Sequence, residues 1–445
     1  MKRILTLSIA ALLFASCGKA PQTPAGPGNG TVSCSFEGTV DYDSHFTSER
    51  LRIDFVLAGD DKNITAYLGG LSREVEWAGS HNALIDPFGY GSFYMEVFDG
   101  EDLIFSRGFN SLFDEWRTTE EAKNVAKCMT QSMWMPFPKD EVKIVLYARR
   151  FEDNRFEQIF TFEVDPADKL ISCGRRNDFK VEPLMVSGDK LSKVDLLFVA
   201  EGYTGTEMEK YRRDAQRFTD YMFSLEPYAG RKEDFNIWLL MSPSEDSGVD
   251  IPQDDLWKST TLESNFFTFY IDRYLTIWDH SKIADAVSGA AFDAIFIIAN
   301  TEKYGGGGIY NSYAMGSSDN ERSNPVFVHE FGHSFAGLAD EYFSKEVAYE
   351  DYYNLEIEPW EPNITTLVDF DSKWADMLPE GAVIPTQPND STMIGVLGVY
   401  EGGGYMTEGV YRPYFECRMR NNTAGEGFCP VCRRAIERMI DFYVK

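Results

Sequence analysis

The stretch Val326 to Tyr342, VFVHEFGHSFAGLADEY, constrains the chain more tightly than any other. His329 and His333 stand four residues apart, and side chains at that spacing leave one face of a helix a single turn apart. Two imidazoles so placed can reach one Zn²⁺ at about 2.0–2.1 Å. Ser323-Asn324-Pro325 supplies a start for that helix, a capping residue followed by a proline at the first helical position. Glu330 lies beside the first histidine and faces the same cleft, where it could take a proton from a water whose pKa the metal lowers toward ~7. Metal as Lewis acid and Glu330 as general base, then acid, is the division of labour that amide hydrolysis needs. The chain holds five histidines in all, so a chance His-Glu-x-x-His is on the order of one in a few hundred.

Two histidines leave the metal site incomplete. His45 and His81 belong to a strand-rich half and His280 precedes a later strand, so the third ligand is expected to be acidic. One layout takes it from a separate downstream segment, with Glu350, Glu356 and Glu358 as candidates. The other brings the chain straight back. On a continuous helix Asp340 would lie roughly 10 Å beyond His333, at 1.5 Å per residue. Gly337 can adopt a positive φ, end the helix and reverse the chain, and a break there could return Asp340 to the metal. Glu341 is then placed to support a ligating histidine.

The rest of the chain divides in two. From about 31 to 175 short alternating runs prevail, among them Leu51 to Leu57, Ser92 to Phe98, Lys143 to Ala148 and Gln158 to Val164. Period-2 segments separated by Gly, Asp and Asn turns predict an antiparallel β-sandwich, interrupted by a helix near Glu120 to Gln131. From about 180 to 445 the style changes. Val194 to Ala200 is nearly continuously apolar, as a strand covered on both faces should be. Thr206-Glu-Met-Glu209 is a capping box opening a helix to about Phe223. Strands at Phe235 to Met241 and Asp293 to Ile298 flank a helix expected over 261–277, which implies a parallel or mixed sheet. Gly305 to Gly308 reads as a flexible loop beside a last strand, Ile309 to Ala314, whose edge could pair with an extended peptide. It lacks the Lys-Ser/Thr of a phosphate loop.

The first 17 residues predict export: a basic start, an apolar run from Ile4 to Ala15 too short to span a bilayer, and Phe14-Ala-Ser-Cys17. This resembles a bacterial lipobox, which implies a lipid on Cys17 and a place in the cell envelope. Residues 18–30 are rich in Pro and Gly, as a tether should be. A formal net charge of −29 argues against nucleic acid and against adsorption to anionic lipid, so membrane contact is expected only through the anchor. Of the cysteines after Cys17, Cys429-Pro-Val-Cys432 invites a redox reading, but it sits far from any early strand. A second zinc site would want four ligands, and only Cys417 is close in sequence. A disulfide from Cys417 to one of the pair, pinning a final helix over about 428–443, is the expectation.

The stretch from His329 onward resembles the metzincin motif His-Glu-x-x-His-x-x-Gly-x-x-His/Asp, with one residue more between His333 and Gly337. HEFGHSFAGLADEY resembles more closely the M64 metallopeptidases. So do Phe198-Val-Ala-Glu-Gly-Tyr-Thr204, Phe235-Asn-Ile-Trp238, Ser244-Glu-Asp-Ser-Gly248 and Tyr411-Arg-Pro…Cys417-Arg-Met-Arg…Phe428-Cys-Pro-Val-Cys432. The resemblance covers roughly 180–445, and the first half is similar to the N-terminal domain that accompanies such catalytic domains. It implies a multidomain α+β or α/β protein, a β-sandwich followed by a metzincin-like domain with a mixed twisted sheet and an active-site helix. It implies zinc on His329, His333 and Asp340, Glu330 as base, a methionine turn at Met419 (Met393 and Met406 being the other candidates), and a protein or peptide substrate. Tyr405, Tyr411 and Tyr414 are near enough in sequence for one to stabilise an oxyanion. The competing reading is a surface binding lipoprotein whose sandwich captures glycan or protein while the metal domain is inert.

Overall fold

The computed structural model describes residues 38–343, 352–387, 395–425 and 427–444. Cys17, the tether, Glu350 and Met393 therefore lie outside the described residues. Two four-stranded sheets form the first half. One runs in the order Lys127–Pro138, Phe46–Gly59, Ile64–Glu76, Ser172–Cys173, and the other Asp102–Phe109, Phe93–Asp99, Val142–Arg149, Phe156–Val164. All pairings are antiparallel except the short last one of the first sheet. Alternation turns one face of each sheet inward, so Ile53, Phe55, Val97, Ile144 and Leu146 are buried in a common core and the Phe55 and Phe162 rings meet across it.

The second half is built on a six-stranded sheet in the order Gly306–Ile309, Tyr313–Ser317, Ala294–Ala299, Val194–Glu201, Phe235–Met241, Lys180–Met185. The four inner strands are parallel and the two outer ones antiparallel to their neighbours. Every residue of Val194–Glu201 is buried, which is why that strand carries no alternation. The helices Met208–Met222, Ser323–Ala336 and Pro430–Tyr443 share one core with its apolar residues, where Phe198, Phe218, Phe296 and Phe327 pack as interlocking rings.

The outer face of the first sheet is polar because it docks. Fully buried Arg50 pairs with Glu74 at 2.8 Å and donates to the Val287 carbonyl at 3.0 Å. Arg52 reaches Asp285 at 2.6 Å, and the Ser132 amide donates to His280 Nδ1 at 3.2 Å.

Several sequence expectations fail. The capping box before the helix Met208–Met222 is Thr204 to Glu207 rather than Thr206 to Glu209, with the Thr204 amide donating to Glu207 Oε2 at 2.8 Å. No helix covers 120–131: the helix lies earlier, at Leu112–Arg117, and a strand already begins at Lys127. Nor does a helix cover 261–277. Glu263, Phe267, Phe269 and Tyr270 have positive φ there, and the loop is held instead by buried Glu201, which accepts from the Leu262 and Ser264 amides and the Thr260 and Ser264 hydroxyls. Leu262, Phe266 and Ile277, which would share one face of a helix, are buried together with Leu275, which would not, so a core-filling loop only partly imitates helical spacing. Finally, the glycine run is itself the edge strand, and Ile309 to Ala314 contains the turn of a hairpin with Asn311 at φ 49. The open edge is also partly taken, since the Leu275 amide donates to the Gly306 carbonyl at 3.5 Å.

Candidate metal centre and active site

The helix Ser323–Ala336 lies against the edge strand at a distance that only glycine permits. A Cβ on Gly308 would stand 2.3 Å from the Glu330 carbonyl oxygen, and one on Gly306 would stand 3.0 Å from Glu330 Cγ. The helix ends at Gly337, in the left-handed region at φ 64, ψ 29, with the Gly337 amide on the His333 carbonyl and the Leu338 amide on the Gly332 carbonyl. That pair of bonds closes a helix that reverses its chain. Asp340 is thereby returned to the histidines.

His329 Nε2 and His333 Nε2 stand 3.1 Å apart, and Asp340 Oδ1 lies 3.1 Å from the first and 3.3 Å from the second. The outer ring nitrogens face carbonyl oxygens: His329 Nδ1 is 3.0 Å from that of Arg418 and His333 Nδ1 is 2.5 Å from that of Leu338. A carbonyl can only accept, so each Nδ1 carries its proton and the inner Nε2 atoms of neutral rings present lone pairs. Buried Asp340 Oδ1 has no hydrogen-bond donor of its own. Three acceptor atoms therefore converge on one point, a donor set that fits a cation. Burial works against a charged His333, but Asp340, Glu330 and the Leu338 carbonyl together raise its pKa to about 9, so a proton competes with a cation for the point between the three atoms. The three side chains thus select positive charge at their centre.

Asp340 is held from several sides. Tyr405, at φ 66, donates its hydroxyl to Oδ2, and the Gly404 amide donates to the Asp340 carbonyl at 2.8 Å. Asn363 grips the preceding residue, accepting from the Ala339 amide and donating to its carbonyl. Tyr405 is therefore engaged with Asp340, while Tyr411 pairs through its backbone with Thr365. Glu330, half-buried on the same helix, has its carboxyl pushed above the ordinary value by burial, with His329 and His333 pulling it back.

Met419 is fully buried under the helix, its sulfur 3.0 Å from where a Cβ on Gly332 would stand. Its carbonyl accepts from the Glu341 amide at 2.9 Å. Met406 packs elsewhere, beside Ile364 and Val410. Glu356 is exposed, and Glu358 accepts from Thr366 and the Asp369 amide. Glu341 does not support a histidine: it turns away from the trio toward Asn363 and Cys432. The expected disulfide is also missing, since Cys417, Cys429 and Cys432 are free thiols, with 3.7 Å between the sulfurs of Cys417 and Cys432. Tyr405 and Met419 were legible in sequence as candidates. Asn363 was not, because its role comes wholly from chain segments that meet only in the fold.

Residues 182–394 and 388–440 match the family described as IgA Peptidase M64, and residues 41–161 match the Peptidase M64 N-terminus. The class is thus a peptidase, a hydrolase of peptide bonds. The chain belongs to the M64 family, whose members are metallopeptidases. No curated protein matches it.

Proposed function

We propose that this chain is a zinc-dependent endopeptidase of metzincin-like layout, with His329, His333 and Asp340 holding the ion, Glu330 as general base and Met419 as the methionine beneath the site. The observation that carries the reading is the convergence of two imidazole Nε2 atoms and one carboxylate oxygen beside Glu330 on one helix. Two imidazoles and a carboxylate suit Zn²⁺ with a coordination position left for water or substrate. When bound, the ion would supply Lewis-acid polarisation of the scissile carbonyl and lower the pKa of water toward ~7.

The chain's own residues do the rest. Glu330 as carboxylate accepts a proton from the attacking water and returns it to the leaving amine. Its raised pKa brings it nearer the operating pH, where a base works best. The Arg418 and Leu338 carbonyls fix which nitrogen of each histidine faces inward. Tyr405 steers Asp340 through its outer oxygen.

The basic, apolar and Cys17-terminated start of the sequence supports an exported protein, lipid-anchored in the cell envelope. Among the described residues no helix is long and apolar enough to cross a membrane. The test is cleavage of casein or gelatin by the purified protein with and without chelator, beside Glu330→Ala. Chelator-sensitive cleavage that the variant lacks is expected. A protein that binds metal but cleaves nothing would favour the binding-lipoprotein reading.

A further inference from the structure

A second cluster lies behind the histidine trio, and the peptidase reading does not use it. Glu341 follows Asp340 directly but points the opposite way, into the space between the segment at Cys417 and the start of the last helix. Its Oε1 is 3.0 Å from Cys432 Sγ and 3.9 Å from Cys429 Sγ, and Cys417 Sγ is 3.7 Å from Cys432 Sγ. One ligand atom from each of the four residues lies within 4.8 Å of all the others. None of the four exceeds 2% exposure.

Burying three thiols and a carboxyl together needs a cause. A carboxyl taken out of water is costly unless its oxygens find partners. Asn363 serves Oε1 at 3.0 Å, but the buried Oε2 has no hydrogen-bond partner. A disulfide between two of the cysteines would leave the third thiol, buried within 4.8 Å of the Glu341 carboxyl, unexplained. A cation accounts for all four groups at once.

The local backbone suits thiolates. Cys429 caps the helix Pro430–Tyr443, and the Cys432 amide points at its sulfur at 3.5 Å. The Cys429 amide points at Cys417 Sγ at 3.3 Å. Amides at a helix N-terminus favour negative charge on sulfur. Three soft sulfurs and one oxygen in a closed four-ligand group match a structural zinc site and contrast with the His-His-Asp trio.

We infer that Glu341, Cys417, Cys429 and Cys432 bind a structural zinc ion, separate from the catalytic one. Binding releases the thiol protons and any carboxyl proton to solvent. The ion ties three segments together: Glu341, one residue after Asp340; Cys417, two residues before Met419; and the first turn of the last helix. Asp340 and Met419 would thus be positioned through their neighbours' metal.

The test is metal analysis of the purified full chain after exhaustive dialysis, for wild type, His329→Ala/His333→Ala, Cys417→Ser and Glu341→Ala. Two zinc ions per chain are expected in wild type and one in the histidine double variant. Cobalt exchanged into that double variant is expected to show sulfur-to-cobalt charge-transfer absorption, and Cys417→Ser and Glu341→Ala are expected to lose about one equivalent of metal relative to wild type. The double variant keeps the proposal falsifiable even if a cysteine variant does not fold. No metal in the double variant, no charge-transfer band, or a disulfide between any two of Cys417, Cys429 and Cys432 in the mass of the unreduced protein would overturn it. Full metal content in Glu341→Ala would overturn the ligand set as stated. Peptidase activity does not enter these readouts, so failure here leaves the catalytic reading standing, and the reverse.

Discussion

At the scale of single residues, Glu330 and Tyr405 separate chemistry from positioning. Glu330→Gln keeps the volume and removes the base, so kcat is expected to fall on the order of 10²–10⁴-fold while metal content stays at the wild-type level. A parallel loss of metal would instead make Glu330 a structural group. Tyr405→Phe removes only the hydroxyl that donates to Asp340 Oδ2. Loss of such a supporting bond is expected to weaken metal affinity roughly 10–100-fold, which titration against a competing chelator would measure. Unchanged affinity would show that Asp340 is held well enough by its backbone. The two histidines and Glu330 stood plainly in the sequence as a group because all three sit on one helix, where spacing is geometry. The direction of Glu341 is not legible for the converse reason: it depends on a turn whose path no spacing rule gives.

At the scale of elements, the reversal at Gly337 decides whether Asp340 arrives. Gly337→Ala would force a Cβ to 2.9 Å from the Trp360 ring at a φ that disfavours side chains. A loss of roughly 1–3 kcal/mol is expected from strain of this kind, read by denaturant unfolding, together with weaker metal binding. Stability and metal affinity both at wild-type values would contradict the role given to the turn. The strands of both halves were legible as alternation or as unbroken apolar runs. The loop from 261 to 277 was not. Its buried Leu262, Phe266 and Ile277 would share one face of a helix, though buried Leu275 would not, while the carboxylate that organises the loop, Glu201, lies some sixty positions earlier. The glycine run misled in the same way, since flexibility and close packing both call for glycine. Only the helix lying against the strand distinguishes them.

At the scale of the molecule, the two halves are joined by buried polar groups, which makes their union sensitive to pH and to truncation. His280 sits between them, accepting from the Ser132 amide and bonded to Ser312 at 2.9 Å. Burial lowers its pKa from 6.5 to about 3, Arg52 adding to the effect and Asp279 opposing it. Between about pH 3 and 6.5 the unfolded chain therefore holds more protons on this ring than the folded one. The stabilisation is complete above 6.5 and is lost as pH falls through that window. Relative to His280→Asn, wild type is expected to lose about 2 kcal/mol between pH 7 and pH 5, at 1.36 kcal/mol per unit; a pH-independent difference between the two would contradict this. Arg50→Ala would leave buried Glu74 with only Arg52 at 3.7 Å and the Trp134 indole N–H at 3.2 Å, with an expected cost of about 3 kcal/mol, the low end for breaking a buried pair, in chemical denaturation. A cost below about 1 kcal/mol, as for an exposed pair, would show the contact to be incidental.

The central claim is that Asp340 completes the metal site begun by the two histidines. Anomalous diffraction at the zinc edge, on crystals of the wild-type protein, tests it most directly. A peak about 2.0–2.2 Å from His329 Nε2, His333 Nε2 and Asp340 Oδ1 together is expected. A peak on the two histidines with its third protein ligand drawn from any other residue, or no peak at the histidines, would contradict it.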